Sequence, residues 1–246
     1  MSKDLFSEQS KAYAAFRPTY PPELYECIFT HLNGTSAAWD CATGNGQVAR
    51  YLANHFDSVV ATDISAKQIA HAFQAQNIFY SVEPAEKSAF DDKQFDLIAV
   101  AQALHWFDVS RFYEEVNRTG KRGALLAVWG YALPSFGPVI NELLVDFYEN
   151  KVGPYWDQAR KLVENHYEDI PFPFDTVDCP KFKIMVSWTA EEFLGYLSSW
   201  SATQNYIRSC GVDPLEEVRN ALHSIWKPGD RKPGRFPVFM KLGKIR

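Results

Sequence analysis

Short apolar runs alternate with amphipathic stretches from about Ala37 to Tyr131. In "VARYLANHF" the positions of one helical face recur at i, i+3, i+4 and i+7. Seven runs predict strands: "AAWD", "SVVATD", "IFYSV", "FDLIAVAQAL", "GALLAVWGY", "KFKIMVSW" and "FPVFMKLGKI". Strands and helices that alternate through short joints are typical of a parallel sheet with helices on both faces. The pattern therefore predicts an α/β fold with a doubly wound, mostly parallel seven-stranded sheet.

The regular alternation ends after the fifth predicted strand. Residues 134–176 are rich in proline, aromatic and acidic residues and contain helical pieces such as "VINELLVDFY". Two further helical patterns, "AEEFLGYLSSW" and "LEEVRNALHSIW", lie between the last two predicted strands. The length of 246 residues suits one large α/β domain with an inserted helical cap. We expect a single domain over 1–246, with its core at about 20–131, 177–188 and 236–246 and its cap at about 132–176 and 189–235.

Composition narrows the classes of partner. The formal net charge of −5 argues against a nucleic-acid partner, because phosphate binding usually leaves a basic footprint. The N-terminal "MSKDLFSEQS" has no apolar segment, and no apolar run approaches the ~18 residues that a membrane-spanning helix needs. We therefore expect a cytoplasmic protein that neither binds nucleic acid nor crosses a membrane.

The cysteines point to a reducing compartment. They form no CxxC pair, and no histidine stands at zinc-ligand spacing from them. Their positions are Cys27, Cys41, Cys179 and Cys210. This spacing predicts free thiols and no metal site.

The stretch "AWDCATGNGQVARYL" joins the first predicted strand to a helix through two glycines. Gly44 and Gly46 lack the Cβ atoms that would hold a ligand away from the backbone, and the amides at a helix start lack intrahelical partners. Asp63 ends the second predicted strand, 19 residues after Gly44. A carboxylate there suits the two hydroxyls of a ribose. The spacing therefore predicts a nucleoside-type ligand at this turn.

Two classes of enzyme remain open at this point. Gly44, Gly46 and Ala49 satisfy the dinucleotide pattern G-x-G-x-x-A, so an NAD-dependent oxidoreductase is one interpretation. Asp40, which ends the first strand, is an acid that the dinucleotide pattern does not require.

With Asp40 included, the sequence resembles the class I S-adenosylmethionine-dependent methyltransferases of the type 11 kind. Their first motif, D-x-G-x-G-x-G, is matched by Asp40, Ala42, Gly44 and Gly46, with Ala42 replacing the first glycine. "VVATDIS" is similar to the second motif, and residues 83–108 are similar to the third and fourth in order and spacing. The resemblance implies a seven-stranded Rossmann-like methyltransferase fold with S-adenosyl-L-methionine as the cofactor.

The same resemblance implies a set of cofactor-binding residues. Tyr13 and Arg17 lie in an N-terminal segment that folds over the cofactor in this family, while Ile64 and Glu86 neighbour the adenine. The full expected set is Tyr13, Arg17, Asp40, Ala42, Gly44, Gly46, Asp63, Ile64, Glu86 and Ala101.

A narrower resemblance extends over most of the chain. The blocks "FSEQSKAYAAFRPTYP", "ALHWFD", "WGYALP", "GPYWDQAR" and "WSATQNY" are together similar to the trans-aconitate methyltransferase group. That group methylates a carboxylate of a small tricarboxylic acid. The resemblance implies a small-molecule substrate and a monomer or homodimer.

Candidate substrate residues follow the fourth and fifth strands and the cap. His105 would orient the substrate or act as a base, although a structural histidine fits equally well. Either Arg17 or Arg160 would suit a carboxylate through paired N–H bonds, and a surface salt bridge is the alternative for Arg160. Trp129 is also a candidate for the core. The expected substrate set is Trp106, Trp129, Tyr131, Tyr155, Trp156 and Arg160.

The nucleophile decides which chemistry the protein must supply. A carboxylate and a sulfonium neutralise each other during methyl transfer, so a dry pocket favours the reaction without a general base. A hydroxyl or amine would need a base near the methyl group. We therefore expect a methyl ester product. The alternatives are O-, N- or C-methylation of another metabolite, the oxidoreductase above, or a catalytically silent cofactor-binding protein.

Overall fold

A mostly parallel sheet forms the centre of the computed structural model, which describes residues 16–246. Its eight strands are β1 (Ala37–Cys41), β2 (Ser58–Asp63), β3 (Ile78–Val82), β4 (Phe95–Ala101), β5 (Gly120–Tyr131), β6 (Asp175–Val177), β7 (Phe182–Trp188) and β8 (Lys232–Lys244). The order is β3-β2-β1-β4-β5-β8-β6, and β7 also pairs with β8. The first five strands are parallel, whereas β8 runs antiparallel to β5, β6 and β7. The predicted doubly wound sheet is confirmed.

Helices connect the strands and fill the insertions. They are α1 (Pro22–Phe29), α2 (Gln47–Leu52), α3 (Ala66–Ala70), α4 (Val109–Thr119), α5 (Pro138–Asp146), α6 (Arg160–Glu164), α7 (Ala190–Ser198), α8 (Ser201–Cys210) and α9 (Leu215–Ile225). Single turns of tighter or wider helix lie at Leu104–Trp106, Phe147–Lys151 and Gly153–Tyr155. Within residues 16–246, none of these helices has the length and apolar character to cross a membrane.

Both faces of the sheet are covered, which explains the continuous apolar runs. In β4, Leu97 and Ala99 face the cluster that contains α1, whereas Ile98 and Val100 face the cluster that contains α4. All four side chains are fully buried. Side chains alternate across a strand, so a strand between two helical layers is apolar at every position. Burial of one such aliphatic side chain contributes about 1.5–3 kcal/mol.

The prediction of seven strands was wrong by one, and one helix was missed. Strand β6 has three residues, of which Asp175 and Thr176 are exposed, so it carries no apolar pattern. Helix α8 buries only Ala202 and Thr203 and is polar on average. Residues 232–235, expected in the cap, begin β8 instead. Packing against neighbouring strands, which the local pattern does not contain, decides these elements.

The fourth strand is shorter than "FDLIAVAQAL" indicated. It ends at Ala101, because Gln102 adopts a left-handed conformation with φ of 55°. The carboxamide of Gln102 accepts a hydrogen bond from the Tyr131 amide at 2.8 Å and donates to the Tyr131 carbonyl at 3.3 Å. It therefore replaces the backbone ladder between the ends of β4 and β5. The carboxyl ends of β1, β2, β4 and β5 meet at this edge, where open α/β sheets bind their ligands.

Candidate active site

A turn with little side-chain bulk lies between β1 and α2. Gly44 and Gly46 have φ values of 56° and 80°, which glycine adopts readily. A Cβ atom on Gly46 would collide with the hydroxyl of Tyr80, whereas a Cβ atom on Gly44 would meet no atom within 4 Å. Packing therefore requires a glycine at position 46, whereas Gly44 borders open space where a ligand can reach the backbone.

Asp40 lies beneath this turn and is only 1% exposed. Its Oδ2 atom accepts hydrogen bonds from Thr43 Oγ1 at 2.5 Å and from the Ala49 amide at 2.8 Å. Burial raises the pKa of Asp40 from 3.8 to about 7; the two hydrogen bonds oppose this rise, and the charge of Asp63 adds to it. A carboxyl group that titrates near neutral pH responds strongly to a cation bound beside it.

Asp63, at the end of β2, is fixed against the same turn. Its Oδ2 atom accepts a hydrogen bond from the Gly44 amide at 2.9 Å, and its Oδ1 atom accepts one from the Ser65 amide at 2.8 Å. Ser65 caps α3 by accepting a hydrogen bond from the Gln68 amide. The carboxylate is therefore held rigidly at the carboxyl edge of the sheet.

A cavity of about 80 Å³ opens beside the glycine turn. Five of the ten expected cofactor residues line it: Arg17, Asp40, Ala42, Gly44 and Ala101. The structure thus brings together residues from the N-terminal segment, the first strand–helix turn and the end of β4. Thr43, Asn45 and Gln102, which the sequence reasoning missed, line it as well.

Asp63 contacts the glycine turn, whereas three more of the expected cofactor residues do not line this cavity. Gly46 shapes the turn, and Ile64 is 41% exposed beyond the end of β2. Glu86 accepts a hydrogen bond from the Asp108 amide at the start of α4 and lines an outer groove instead of the glycine-turn cavity. Tyr13 lies outside the described residues.

A second cavity of about 50 Å³ lies between the carboxyl edge of the sheet and the inserted helices. It contains six of the residues predicted to bind ligands: Arg17, His105, Trp106, Tyr131, Trp156 and Arg160. Because Arg17, Gln102 and Tyr131 line both cavities, the two spaces adjoin. A ligand at the glycine turn would therefore lie next to a ligand in the second cavity.

Arg17 connects the two sides of the second cavity. Its Nη1 atom donates to the Tyr131 hydroxyl at 2.9 Å, and its Nη2 atom donates to the Ser199 carbonyl at 3.1 Å. The guanidinium also lies 5.7 Å from the centre of the Tyr196 ring. Arg17 therefore ties the end of β5 to the end of α7.

Arg160 is oriented by a chain of hydrogen bonds. Its Nε atom donates to the Tyr148 hydroxyl at 3.0 Å, and that hydroxyl donates to Glu164 Oε1. The guanidinium lies 4.9 Å from the centre of the Trp156 ring. Within residues 16–246, no carboxylate lies within 4.0 Å of its nitrogen atoms, so Arg160 carries a charge without an ion-pair partner there.

His105 is uncharged at neutral pH. Burial lowers its pKa from 6.5 to about 3, and the nearby charge of Arg160 adds to the effect. Its Nδ1 atom lies 2.9 Å from the hydroxyl of Tyr167, a residue that the sequence reasoning did not single out. No signal near Tyr167 in the sequence indicates this contact, which joins positions 62 residues apart.

Two expected substrate residues do not line the cavity. Trp129 is 0% exposed and packs edge-on against Tyr20 and Tyr25, with ring centres 5.7 Å and 6.1 Å away. It is a core residue, because it lies two positions before Tyr131 and therefore further from the carboxyl end of β5. The Tyr155 hydroxyl bonds to Cys210 Sγ at 3.1 Å, so this side chain joins two cap elements. Neither side chain therefore belongs to the set that lines the second cavity.

The geometry defines a class of protein: an α/β enzyme with a nucleoside-type cofactor site beside a pocket for a small molecule. Among residues 16–246, no three His, Cys, Asp or Glu side chains are grouped so that they could hold a metal ion.

Comparison with known proteins identifies the family. A protein-family model described as a methyltransferase domain matches residues 39–128 of this chain. A protein of Dictyostelium discoideum described as a methyltransferase is 34% identical over 251 residues, covering 98% of this chain and 95% of that protein. A solved structure from Anaeromyxobacter dehalogenans, described as a type II methyltransferase, is 34% identical with a TM-score of 0.86, covering 94% of this chain and 98% of its own.

A more distant structure shares the fold. A Haemonchus contortus phosphoethanolamine N-methyltransferase, solved with S-adenosylhomocysteine, has a TM-score of 0.50 at 15% identity and covers 100% of this chain and 60% of its own. Together with the full-length relatives, these matches show that the chain belongs to the class I S-adenosylmethionine-dependent methyltransferases. It is therefore an enzyme that uses S-adenosylmethionine to methylate a small molecule, and the oxidoreductase interpretation is excluded.

The residues at the glycine turn fit this cofactor. Open space at Gly44 admits a ligand to the backbone, and the carboxyl groups of Asp40 and Asp63 suit a molecule that carries both cationic groups and ribose hydroxyls.

Proposed function

We propose that this methyltransferase methylates a carboxylate of a small acid and so forms a methyl ester, as in the trans-aconitate methyltransferase group that its sequence resembles. The observation that carries the proposal is Arg160, a half-buried guanidinium in the second cavity without an ion-pair partner in the described chain. A charge held away from bulk water needs a counter-charge or well-placed hydrogen bonds. A substrate carboxylate supplies that counter-charge.

Arg160 is prepared for such a ligand. Tyr148 and Glu164 engage its Nε side, and Trp156 covers one face of the guanidinium. The two Nη atoms form no hydrogen bond with a described side chain, so they can bind a carboxylate through two parallel N–H bonds. Arg17 adds a second positive charge to the same cavity. These local charges offset the repulsion of an anion by a protein whose formal net charge is −5.

The state of His105 also favours a carboxylate over a hydroxyl or amine. A general base works best when its pKa lies near the operating pH, and the pKa of His105 is lowered to about 3. An alcohol or ammonium substrate would have to give its proton to such a base. A carboxylate is already deprotonated at neutral pH, so its methylation requires no proton acceptor.

The residues of the glycine turn complete the proposed mechanism. When bound, S-adenosylmethionine supplies a reactive methyl group on a positively charged sulfur. We propose that Asp63 accepts hydrogen bonds from ribose hydroxyls, that the backbone near Gly44 contacts the cofactor, and that Asp40 balances its positive charge. Arg17 and Arg160 orient the acid, and the aromatic walls exclude water, so alignment of the two reactants carries most of the catalysis.

Transfer of a labelled methyl group tests the reaction. The purified protein is given S-adenosylmethionine with a labelled methyl group and a panel of small acids that includes trans-aconitate, alongside phenols and amines. We expect base-labile label in a product from the acids, because methyl esters hydrolyse in base. Base-stable label from a phenol or amine, with none from any acid, would refute the carboxylate proposal.

Arginine variants test the assignment of the pocket. Arg160→Ala should lower kcat/KM for the acid about 10- to 100-fold, the effect of losing a hydrogen bond to a charged group. Binding of S-adenosylhomocysteine should not change. Arg208→Ala is the matched control, because Arg208 is an exposed arginine of α8 that does not line the cavity. Equal activity of both variants would rule out Arg160 as the carboxylate ligand.

A further inference from the structure

Tyr167 is a buried partner of His105 that does not itself line the second cavity. The Tyr167 side chain is 0% exposed, and its hydroxyl lies 2.9 Å from His105 Nδ1. The histidine ring itself lines the second cavity together with Arg160. The direction of this hydrogen bond decides which ring nitrogen of His105 carries the proton.

Tyr167 is the donor in this bond. Burial raises the pKa of Tyr167 well above its usual value, so the hydroxyl keeps its proton; interactions with the backbone amides of His105 and Leu104 oppose the rise. A backbone amide N–H can donate to the hydroxyl oxygen but cannot accept the hydroxyl proton. Among residues 16–246, His105 Nδ1 is the acceptor that the hydroxyl contacts. The neutral ring therefore carries its proton on Nε2.

The backbone around Tyr167 is fixed in an unusual conformation. His166 and Tyr167 have φ values of 53° and 60°, in the left-handed region that such residues seldom adopt. Lys241, on β8, donates from Nζ to the Tyr167 carbonyl at 2.5 Å and to the Ile170 carbonyl at 2.8 Å. Strained backbone of this kind persists where its surroundings constrain it, often near a functional site. The sheet therefore holds the Tyr167 ring in place behind His105.

The cavity side of His105 suits an anion. Nε2 forms no hydrogen bond with any residue of the described chain and is not among the buried side-chain atoms that lack a partner, so it is accessible in the cavity that the ring shares with Arg160. An N–H group beside a guanidinium offers two donors to the same carboxylate. A bare nitrogen lone pair at that point would repel it.

We propose that Tyr167 is a positioning residue that holds His105 in the Nε2–H form, so that His105 donates a hydrogen bond to the substrate carboxylate beside Arg160. This inference rests on the proposed function, since the acceptor is the acid. It assigns His105 a role as a hydrogen-bond donor and not as a base. It also explains how a histidine that is uncharged at neutral pH contributes to a pocket for an anion.

Nuclear magnetic resonance of the full-length protein tests the tautomer. With ¹⁵N-labelled histidine and bound S-adenosylhomocysteine, the long-range ¹H–¹⁵N correlations of the ring distinguish Nε2–H from Nδ1–H. The His105 signal is assigned by its absence from the His105→Gln spectrum. We expect the Nε2–H pattern in the wild type and its loss in Tyr167→Phe. An Nδ1–H pattern in the wild type would overturn the inference.

Tyr113→Phe is the matched control for the tyrosine variant. Tyr113 is also a buried tyrosine of the same core cluster, and its hydroxyl has no hydrogen-bond partner in the described chain. Its removal should leave the His105 signals and kcat/KM unchanged. If Tyr113→Phe shifts the tautomer as much as Tyr167→Phe does, the effect comes from general loosening of the core and the inference fails.

Kinetics of His105 variants distinguish a donor from a base. Glutamine can place an amide N–H near the position of Nε2, whereas the shorter asparagine cannot reach it. We expect His105→Gln to retain kcat/KM for the acid within about tenfold and His105→Asn to lose about 10- to 100-fold. Neither variant can act as a base, so equal inactivity of the two variants would indicate a base and contradict the donor role. Full activity of both variants would also contradict it, because the donor would then be dispensable.

The outcomes separate this inference from the proposed function. If the wild type esterifies no acid, the carboxylate proposal fails, and His105 then has no substrate carboxylate to which it could donate. The spectrum still reports which ring nitrogen of His105 carries the proton. If the wild type forms esters but shows the Nδ1–H pattern, the proposed function stands and the role of Tyr167 is rejected.

Discussion

At the scale of single residues, the turn after β1 combines three left-handed positions. Ala42, Gly44 and Gly46 have φ values of 58°, 56° and 80°. The family motif has glycine at the position of Ala42, so the alanine adds a methyl group to this turn. The structure shows that this residue also carries a backbone conformation that costs a residue with a Cβ atom about 1–2 kcal/mol.

We expect Ala42→Gly to stabilise the fold by about 0.5–1 kcal/mol. Relief of the left-handed strain contributes about 1–2 kcal/mol, and the greater freedom of glycine in the unfolded chain offsets about 0.4–1 kcal/mol. Urea unfolding measures the difference. Ala70→Gly, at the exposed last position of α3, is the control and should destabilise the fold, because glycine has a lower helix propensity than alanine. Loss of stability in both variants would contradict this account of Ala42.

The pH dependence of stability should reveal Asp40. Because folding raises its pKa from 3.8 to about 7, the native state binds a proton that the unfolded state releases. The free energy of unfolding therefore falls as pH rises from about 4 through about 7, by at most about 4 kcal/mol from this group.

Comparison of Asp40→Asn with the wild type isolates that contribution. Asparagine resembles the protonated acid, so the variant should gain stability relative to the wild type between pH 5 and 8. Urea unfolding of both proteins at pH 5 and at pH 8 gives the difference in the free energy of unfolding at each pH. A difference that does not change with pH would mean that Asp40 is ionised in the folded protein throughout this range.

At the scale of elements, one carboxylate joins the beginnings of three strands. Asp96, in β4, accepts hydrogen bonds from the Ser36 amide at 2.9 Å, the Ala37 amide at 3.1 Å and Lys121 Nζ at 2.8 Å. Burial raises the pKa of Asp96, but hydrogen bonds from Lys121, Ser36 and Ala37 outweigh it, so the pKa lies below 3.8. This carboxylate therefore stabilises the end of the sheet opposite the active site.

Asp96→Asn should destabilise the protein by about 2 kcal/mol at pH 7, the effect of weakening hydrogen bonds to a charged group. A lowered folded-state pKa gives stability that is present above 3.8 and lost as pH falls through the folded value. The difference between variant and wild type should therefore shrink below pH 4. Denaturant titrations at pH 7 and pH 3 test this, and a larger difference at pH 3 would refute it.

Elements with a strong local pattern were predictable, and those without one were not. Helix α7 and strand β4 carry continuous signals and appear where the sequence indicated, within a few residues. Strand β6 and helix α8 exist because neighbouring elements pair with or pack against them. The π-helical turn Phe147–Lys151 follows the helical pattern "VINELLVDFY", but no local signal distinguishes its wider geometry, which places Tyr148 against Arg160.

At the scale of the whole molecule, the active site is assembled from distant parts of the chain. Arg17 bonds to Tyr131 and Ser199, which lie 114 and 182 residues away. The glycine turn adjoins the second cavity through these contacts. Binding of a cofactor at the turn is therefore expected to stabilise the fold as a unit, because a ligand that binds only the folded state shifts the equilibrium toward it.

Thermal unfolding should report that effect. S-adenosylhomocysteine at 100 times its Kd should add about 2.7 kcal/mol to the free energy of unfolding, which raises the Tm of a chain of this size by roughly 5–10 °C. NAD should give no shift. Asp63→Ala should lose most of the shift at the same ligand concentration, because its carboxylate lies beside Gly44. An unchanged shift in that variant would exclude Asp63 from the cofactor site.

The sequence by itself determined the sheet, the glycine turn and the pair of Asp40 and Asp63. The period of the apolar residues, the glycines of the turn and the spacing between the ends of successive strands can all be read from short stretches of the chain. It did not separate Trp129 in the core from Tyr131 at the cavity, since both face the same side of one strand. Only the tertiary structure decided that Tyr167 lies behind His105 and that Arg160 has no ion-pair partner among the described residues. Those facts depend on contacts between distant segments, and local sequence carries no signal for them.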